Sequence, residues 1–315
     1  MKIIFYGTPH FAVPSLKALL DAPGFDVRAV ITQPDRPAGR GHKLQASPIK
    51  QLAVDRGVAV MQPGRIKKEL KSFRAGLEAL GPIDAAVVVA FGQILPLEIL
   101  NLPNSGSINA HASLLPRWRG AAPIQRAMLE GDQETGVCLM RMEQGLDSGP
   151  VFSRLAVEIE DSDYCDQLHD KLAAAAASLL VRDLPQIVAG QIAAQPQNEG
   201  LVTYAHKIEN QDALIDWSRS NLEIWRQVRA FSPYPGAFTT LNGARLKILR
   251  ARPIESMRTQ QVTAGEIELT DRQQLEVRCG QGSLSIEELQ LEGRRRQPVA
   301  EFLKGFRITV GSRMA

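Results

Sequence analysis

The chain has 315 residues, a length that predicts two domains and a core large enough to fold without disulfides or a structural metal. Apolar residues make up 44% and charged residues 23%, which excludes wholesale disorder, a fibrous repeat and a membrane-spanning protein. Three scattered cysteines without a CxxC pair predict buried, reduced thiols in a cytoplasmic protein. Residues 1–7 predict a first β-strand, and no signal peptide.

The first half of the chain alternates short β-rich runs with helical patterns. Predicted strands cover residues 3–6, 27–32, 58–61, 85–90 and 106–109. Predicted helices cover residues 11–21 and 47–56, a basic segment ending near 80, and a long segment after 162. The apolar run at 85–90 lacks alternation, which is typical of a strand buried on both faces of a parallel sheet. These units predict a Rossmann-like, doubly wound, mostly parallel α/β sheet.

The pattern of alternating strands and helices ends after residue 189. Residues 190–208 begin with a polar, Gln-rich stretch and are predicted to be a linker. Beyond it, five short strand-like pieces separated by turn signals, with one helix near 222–230, predict a small OB-like β-barrel. We therefore predict a catalytic domain over 1–189, the linker over 190–208 and a β-domain over 209–315.

The net charge of +3 conceals an uneven distribution. Residues 36–74 carry ten Lys/Arg against two acidic groups, whereas residues 130–170 carry two against eleven. In the basic band, Arg36, Arg40 and Lys43 fall in a Gly-containing loop after a strand, where ligands of doubly wound sheets bind. Such a loop suits a polyanion such as RNA, whose phosphates dominate binding affinity. It lacks the phosphate-cradling GxxxxGK[ST] pattern.

The first βα turn argues against a dinucleotide cofactor. It contains Gly7-Thr8-Pro9-His10-Phe11, with one glycine and a proline where a dinucleotide-binding fold requires GxGxxG. A nicotinamide or flavin enzyme is therefore not expected. The fold alone specifies no function.

The densest chemical signal lies around Asn109 and His111, at the end of a predicted strand. Two residues apart in extended chain, their side chains point to the same side. An amide can donate to a developing oxyanion, and an imidazole can donate or relay a proton. Asp147, in a Gly-flanked turn, is the candidate third group that orients the histidine. The pattern predicts catalysis at a carbonyl, although a structural role at a strand end is the alternative for any single polar residue.

The same region resembles the folate-dependent formyltransferases, most closely those that act on methionyl-tRNA. Asn109-Ala110-His111 is followed by Ser-Leu-Leu-Pro-Arg-Trp-Arg-Gly at 113–120 and by Leu-Asp-Ser-Gly-Pro at 146–150. Further matching stretches are Gly7-Thr8-Pro9, residues 33–41, residues 91–96, Ile215-Asp216-Trp217 and residues 232–237. The resemblance covers nearly the whole chain.

The resemblance implies formyl transfer from 10-formyltetrahydrofolate to the amino group of methionine on initiator tRNA. It implies catalytic roles for Asn109, His111 and Asp147, and no metal. The implied folate contacts are Phe91, Gly92, Gln93, Ile94, Leu95, Ser113, Leu114, Leu115 and Pro116. The expected tRNA contacts are Arg36, Arg40, Lys43 and Lys207.

Two alternatives remain open at this stage. A formyltransferase acting on a small amine, such as an amino-sugar nucleotide or glycinamide ribotide, would share the central motif. A non-catalytic RNA-binding module would share the cationic loop and the β-domain. The protein is expected to be a monomer that does not associate with membranes.

Overall fold

The computed structural model describes residues 1–38, 43–255, 263–271, 274–306, 308 and 311–315. Its contacts divide the chain into two compact units. The first unit comprises residues 1–123, 134–158 and 169–205, and the second comprises 124–133, 159–168 and 206–315. The domain limits at 189 and 208 stay predictions.

The elements of the first 205 residues alternate as the sequence predicts. The strands are β1 (Lys2–Gly7), β2 (Asp26–Ile31), β3 (Arg36–Ala38), β4 (Lys43–Gln45), β5 (Val60–Met61), β6 (Ala85–Val89), β7 (Ser107–His111), β8 (Arg119–Gly120), β9 (Glu134–Arg141), β10 (Val151–Glu158) and β11 (Tyr204–Ala205). The helices are α1 (Val13–Asp21), α2 (Pro48–Asp55), α3 (Leu70–Glu78), α4 (Leu97–Leu100), α5 (Pro123–Glu130) and α6 (Cys165–Val188).

Seven strands form one sheet in the order β10-β9-β7-β6-β1-β2-β5. The strands from β7 to β5 in this order pair in parallel, whereas β9 is antiparallel to both β7 and β10. The predicted Rossmann-like, mostly parallel sheet is confirmed. The chain runs from β1 through β2 to β5, then returns to β6 on the other side of β1. The switch point where such sheets bind ligands therefore lies between β1 and β6.

Local sequence signals account for several element boundaries. The helix α2 begins where a Ser-Pro pair predicts it, because the Ser47 hydroxyl accepts a hydrogen bond from the Lys50 backbone N–H at 3.1 Å. The basic segment before residue 80 becomes helical only from Leu70. The β9–β10 hairpin, which extends the sheet beyond β7, is absent from the sequence-based prediction.

The second unit contains an antiparallel β-sheet. The strands of the sheet and the two helices of the C-terminal region are α7 (Asn221–Phe231), β12 (Ala237–Leu241), β13 (Ala244–Ile254), β14 (Ile267–Asp271), β15 (Gln274–Arg278), β16 (Ser283–Leu291), β17 (Gln297–Pro298) and α8 (Val299–Gly305). The strand order is β12-β13-β16-β15-β14, with β17 paired to β16. Ala315 exchanges two backbone hydrogen bonds with Thr240 of β12, and the Ser312 carbonyl accepts one from Ile267 of β14. The last residues thus join both edge strands, closing the predicted small barrel.

A buried phenol lies in the core of the parallel sheet. The Tyr6 side chain is fully buried, and its hydroxyl has no hydrogen-bond partner within the described part of the chain. Burial raises the pKa of this phenol, so it stays neutral at all physiological pH values. Its ring meets the Phe91 ring edge-on, with 5.3 Å between centroids. The aromatic ring, and not the hydroxyl, supplies the packing at this position.

We predict that Tyr6→Phe leaves the free energy of unfolding unchanged or raises it by up to about 1 kcal/mol, because the change removes an unsatisfied buried polar atom. The control is Tyr164→Phe, since the Tyr164 hydroxyl donates to the Ala251 carbonyl and accepts from its N–H. That control should cost about 1 kcal/mol or more. Denaturant midpoints measure both, and a large loss in Tyr6→Phe would show that its hydroxyl has a partner.

Candidate active site

The strand β7 places two polar side chains at the carboxyl end of the parallel sheet. Asn109 lies opposite Val88 of β6 and Met140 of β9, and His111 lies opposite Cys138. The Asn109 side chain is half-buried and makes no hydrogen bond with any residue that the structure describes. Its amide is therefore available to donate to a bound group.

The imidazole of His111 is buried and held by a backbone carbonyl. Nε2 lies 2.9 Å from the Trp118 carbonyl oxygen. Because a carbonyl only accepts, Nε2 must carry the hydrogen. Trp118 itself has a positive φ of 64°, and its N–H donates to the Thr203 hydroxyl at 2.9 Å. The ring is thus oriented with Nδ1 as the nitrogen left for chemistry.

Asp147 faces that nitrogen from the loop between β9 and β10. Its Oδ2 lies 3.7 Å from His111 Nδ1, which is too long for a direct hydrogen bond. The same oxygen accepts a hydrogen bond of 2.9 Å from the Gly120 N–H. The structure therefore brings His111 and Asp147 together, with Asn109 two residues before His111 on the same strand. The Trp118 carbonyl provides the direct hydrogen bond that orients the imidazole, and the Asp147 carboxylate faces Nδ1 across a gap of 3.7 Å.

The loop that carries Asp147 is tightly constrained. Asp147 adopts φ 47°, in the left-handed region. At Gly149 a Cβ would lie 1.9 Å from the Arg141 carbonyl oxygen, so only glycine fits beside the end of β9. The Gln197 side-chain amide donates to the carbonyls of both Asp147 and Gly149 at 2.7 Å. Sequence reasoning missed Gln197, because no local pattern links residues 50 positions apart.

The stretch predicted to contact folate divides into supporting and exposed residues. Phe91 and Leu95 are buried in the core. The Gln93 side chain accepts a hydrogen bond from the Ile66 N–H and donates to the Pro63 carbonyl, which fixes the preceding loop. Ile94 is 75% exposed. Gly92, with φ 81°, lines two neighbouring cavities.

The second stretch predicted for folate, residues 113–116, forms the turn after β7. The Ser113 hydroxyl donates to the Arg117 carbonyl at 2.6 Å and is buried. Leu115 belongs to a buried cluster with Cys138, Met140 and Val151. Leu114 and Pro116 remain partly accessible. The structure therefore gives Ser113 and Leu115 a supporting place in this turn.

Cavities lie at the switch point of the sheet. One of about 630 Å³ is lined by the ends of β1, β2 and β6, with Thr8, Gln33 and Phe91 among its walls. The Phe91 carbonyl accepts hydrogen bonds from the Thr8 hydroxyl and the Gln33 amide. A second cavity of about 320 Å³ shares Gln33 and Gly92 with the first. Thr8 and Gln33 fall in stretches that carry the family resemblance, but no site role was predicted for either of them.

The residues predicted to contact tRNA are unevenly placed. Arg36 lines both cavities, and its guanidinium donates to the Gln33 side-chain oxygen at 3.2 Å. Arg40 lies outside the described residues, as does the Lys43 side chain. Lys207 is exposed, with Nζ 3.4 Å from a carboxylate oxygen of Glu209.

No helix among the described residues has both the length and the apolarity to cross a bilayer. The same residues contain no group of His, Cys, Asp or Glu side chains suited to hold a metal ion.

A parallel sheet with a polar site at its carboxyl edge, accompanied by a β-domain, defines a two-domain α/β enzyme. Residues 1–184 match the family model described as formyl transferase, and residues 207–307 match the model described as formyl transferase, C-terminal domain. The chain belongs to the formyl transferase family.

Its relatives align over almost the full length. A methionyl-tRNA formyltransferase from Methylococcus capsulatus is 48% identical over 303 residues, covering 96% of each chain. Another from Dechloromonas aromatica is 46% identical over 313 residues, covering 99% of this chain and 98% of its own.

Solved structures share the fold at lower identity. An N-formyltransferase from Helicobacter canadensis, in complex with folinic acid and dTDP-3-aminofucose, has a TM-score of 0.68 at 18% identity and covers 94% of this chain and 100% of its own. A methionyl-tRNA formyltransferase from Clostridium thermocellum has a TM-score of 0.55 at 18% identity, covering 89% of this chain and 100% of its own. At this level of identity the likeness shows the fold alone.

We predict that the three cysteine thiols are unreactive in the native protein. Cys138, Cys165 and Cys279 are buried, and burial raises the pKa of Cys138 to about 11 and of the other two to about 12. Because the reactive thiolate is scarce below those pKa values, a thiol reagent at pH 8 should label none of them. In denaturant it should label three per chain. Fast labelling of the native protein would contradict the described burial.

Proposed function

We propose that the protein transfers the formyl group of 10-formyltetrahydrofolate to the α-amino group of methionine on initiator tRNA. One observation carries the proposal: Asn109, His111 and Asp147 converge in a chain whose nearly full-length relatives are named methionyl-tRNA formyltransferases. The polar set suits acyl transfer, and the names of the relatives point to the acceptor.

The reaction needs an oxyanion donor and a route for one proton. The neutral methionyl amine attacks the formyl carbon, so a new C–N bond forms and negative charge develops on the formyl oxygen. The Asn109 amide, which the described residues leave unbonded, donates to that oxygen. The bond from the formyl carbon to folate N10 then breaks, and the amine proton must reach N10.

His111 and Asp147 provide the proton route. Because Nε2 is occupied by the Trp118 carbonyl, Nδ1 is the nitrogen that faces the reacting groups. A protonated Nδ1 donates to the formyl oxygen and is stabilised by the Asp147 carboxylate 3.7 Å away. The carboxylate accepts the amine proton, directly or through water, and the same pair returns a proton to N10.

The proposal also assigns residues to the binding of folate and of tRNA. The accessible positions of the two predicted folate stretches, Ile94, Leu114 and Pro116, supply apolar surface for the folate ring and its linker. The remaining residues of these stretches form the supporting wall. Arg36, Arg40, Lys43 and Lys207 are proposed to contact tRNA phosphates. The protein is proposed to act as a cytoplasmic monomer.

The β-domain offers a second cationic surface, on the outward face of β12 and β13. The Arg245 guanidinium lies 3.6 Å from the centroid of the Phe238 ring, and Phe238 pairs across the strands with Lys247. Neither cation has a carboxylate partner among the described residues. Burial and the neighbouring Arg245 lower the pKa of Lys247. A phosphate backbone would compensate both charges.

We predict that Asn109→Ala, His111→Ala and Asp147→Ala each lower kcat by about 100-fold or more, because each removes a group that acts on the transition state. The tRNA dissociation constant should change little. Formylmethionyl-tRNA formation and a filter-binding titration measure the two quantities. The control is His169→Ala, since His169 lies in α6 and pairs with Asp170.

The same assay tests the acceptor. Charged initiator tRNA should be formylated, and charged elongator tRNA or an amino-sugar nucleotide should not. Formylation of the small amine alone would replace the proposed acceptor. Full activity in His111→Ala would remove the proposed mechanism.

We predict that the double change Arg245→Gln and Lys247→Gln raises the KM for tRNA about 100-fold, because each of the two charge-assisted contacts contributes about 1.5 kcal/mol, or about tenfold. The slope of log affinity against log salt should fall by about 1 for each lost contact. The matched control is Arg252→Gln on the same strand, because Arg252 is already paired with Glu287 at 3.6 Å. If the double variant and the control change tRNA binding equally, then the absence of a carboxylate partner does not make a cation more important for tRNA binding.

A further inference from the structure

The Asp147 loop depends on a side chain from a distant segment. Residues 185–206 lie between the ranges that match the two family models, 1–184 and 207–307. Residues 185–205 of this segment belong to the same compact unit as Asp147. Gln195 exchanges two backbone hydrogen bonds of 2.8 Å with Val151, where β10 begins. Gln197 follows two residues later and is buried beneath the loop.

Every polar group of the Gln197 amide is used, and its orientation follows from chemistry. The NH₂ group donates to the carbonyls of Asp147 and Gly149, both at 2.7 Å. The amide oxygen accepts from Arg119 Nε at 3.0 Å. Carbonyls only accept and a guanidinium only donates, so the opposite flip of the amide would break all three bonds.

Arg119 connects this amide to the other support of Asp147. It is the first residue of β8, and the next residue, Gly120, donates its N–H to Asp147 Oδ2. Arg119 also pairs with Glu199 at 2.7 Å. These contacts form a closed ring. The Asp147 carboxylate accepts from β8, Arg119 of β8 donates to the Gln197 side chain, and the Gln197 side chain donates back to the Asp147 carbonyl.

We propose that Gln197 is a positioning residue that holds Asp147 at its distance from His111 Nδ1, with Arg119 acting through it. This inference rests on the proposed function, because it assigns a role in formyl transfer. Asp147 has a left-handed backbone conformation, so its side-chain direction depends on the turn that Gln197 clamps on both sides of Ser148. Releasing the clamp moves the carboxylate away from the imidazole.

The test combines Gln197→Leu with Asp147→Ala in a double-mutant cycle. Alone, Gln197→Leu should lower kcat about 10- to 100-fold, the size expected when a reacting group is misplaced by about 1 Å. The KM values for folate and tRNA should stay within about twofold, since the proposed binding residues lie elsewhere. In the Asp147→Ala background, Gln197→Leu should cause no further loss, because the residue it positions is gone.

The matched control is Asn198→Ala, which changes the adjacent residue and removes only a cap on the Gly200 N–H. It should leave kcat unchanged. If Gln197→Leu does not fold by circular dichroism, Gln197→Glu replaces it in the cycle, since it keeps an acceptor for Arg119 and loses the two donors. Gln197→Glu should also lower kcat about 10- to 100-fold, and should cause no further loss in the Asp147→Ala background.

The outcomes separate the two proposals. A wild-type protein that forms no formylmethionyl-tRNA overturns the proposed function. An active wild type with unchanged kcat in the Gln197 variant overturns the positioning role alone. Losses that multiply in the double variant also overturn it, because they show that Gln197 acts independently of Asp147.

Discussion

The buried guanidinium of Arg119 constrains the organisation of the site. It is only 3% exposed, and an unpaired charge at that depth would cost several kcal/mol. Its donors are satisfied by Gln197 and by Glu199, both from the segment after α6. Because a charge cannot remain buried without these partners, that segment must return to β8. The return brings the Gln197 amide against the loop that carries Asp147.

The same short strand also determines which nitrogen of His111 is free. Backbone hydrogen bonds pair β8 with β11, and the Trp118 carbonyl, one residue before β8, holds Nε2. Removing β11 would therefore loosen both the imidazole and the carboxylate. The proposed acid–base roles of His111 and Asp147 therefore depend less on direct contact between the two side chains than on the backbone groups that hold each of them. Fixed peptide groups act as preorganised supports, since they need no rotamer search to assemble.

The sequence predicts the parallel sheet, the helix start at Ser47 and the β-domain because these features leave local signals. Continuous apolar runs, capping pairs and turn residues lie within a few positions of the structure they specify. Asn109 and His111 were also predictable, since two residues on one strand share a face. The β9–β10 hairpin and the roles of Gln197 and Arg119 could not be predicted. The contacts of these two side chains join segments that are tens of residues apart, and the polar Gln-rich stretch before Gln197 has the composition of a linker.

Charge shows the same difference between composition and position. A net charge of +3 describes an unremarkable protein, yet the cations of one strand, β13, differ in kind. Arg250 and Arg252 are compensated by Glu288 and Glu287, so they add little field at the surface. Arg245 instead stacks on the Phe238 ring, and Lys247 pairs across the strands with Phe238, so under the proposed function both charges are left to attract tRNA phosphates. In the proposed function, this pattern would limit the total affinity for tRNA and concentrate binding at the phosphates nearest Arg245 and Lys247, which suits the release of a large charged product.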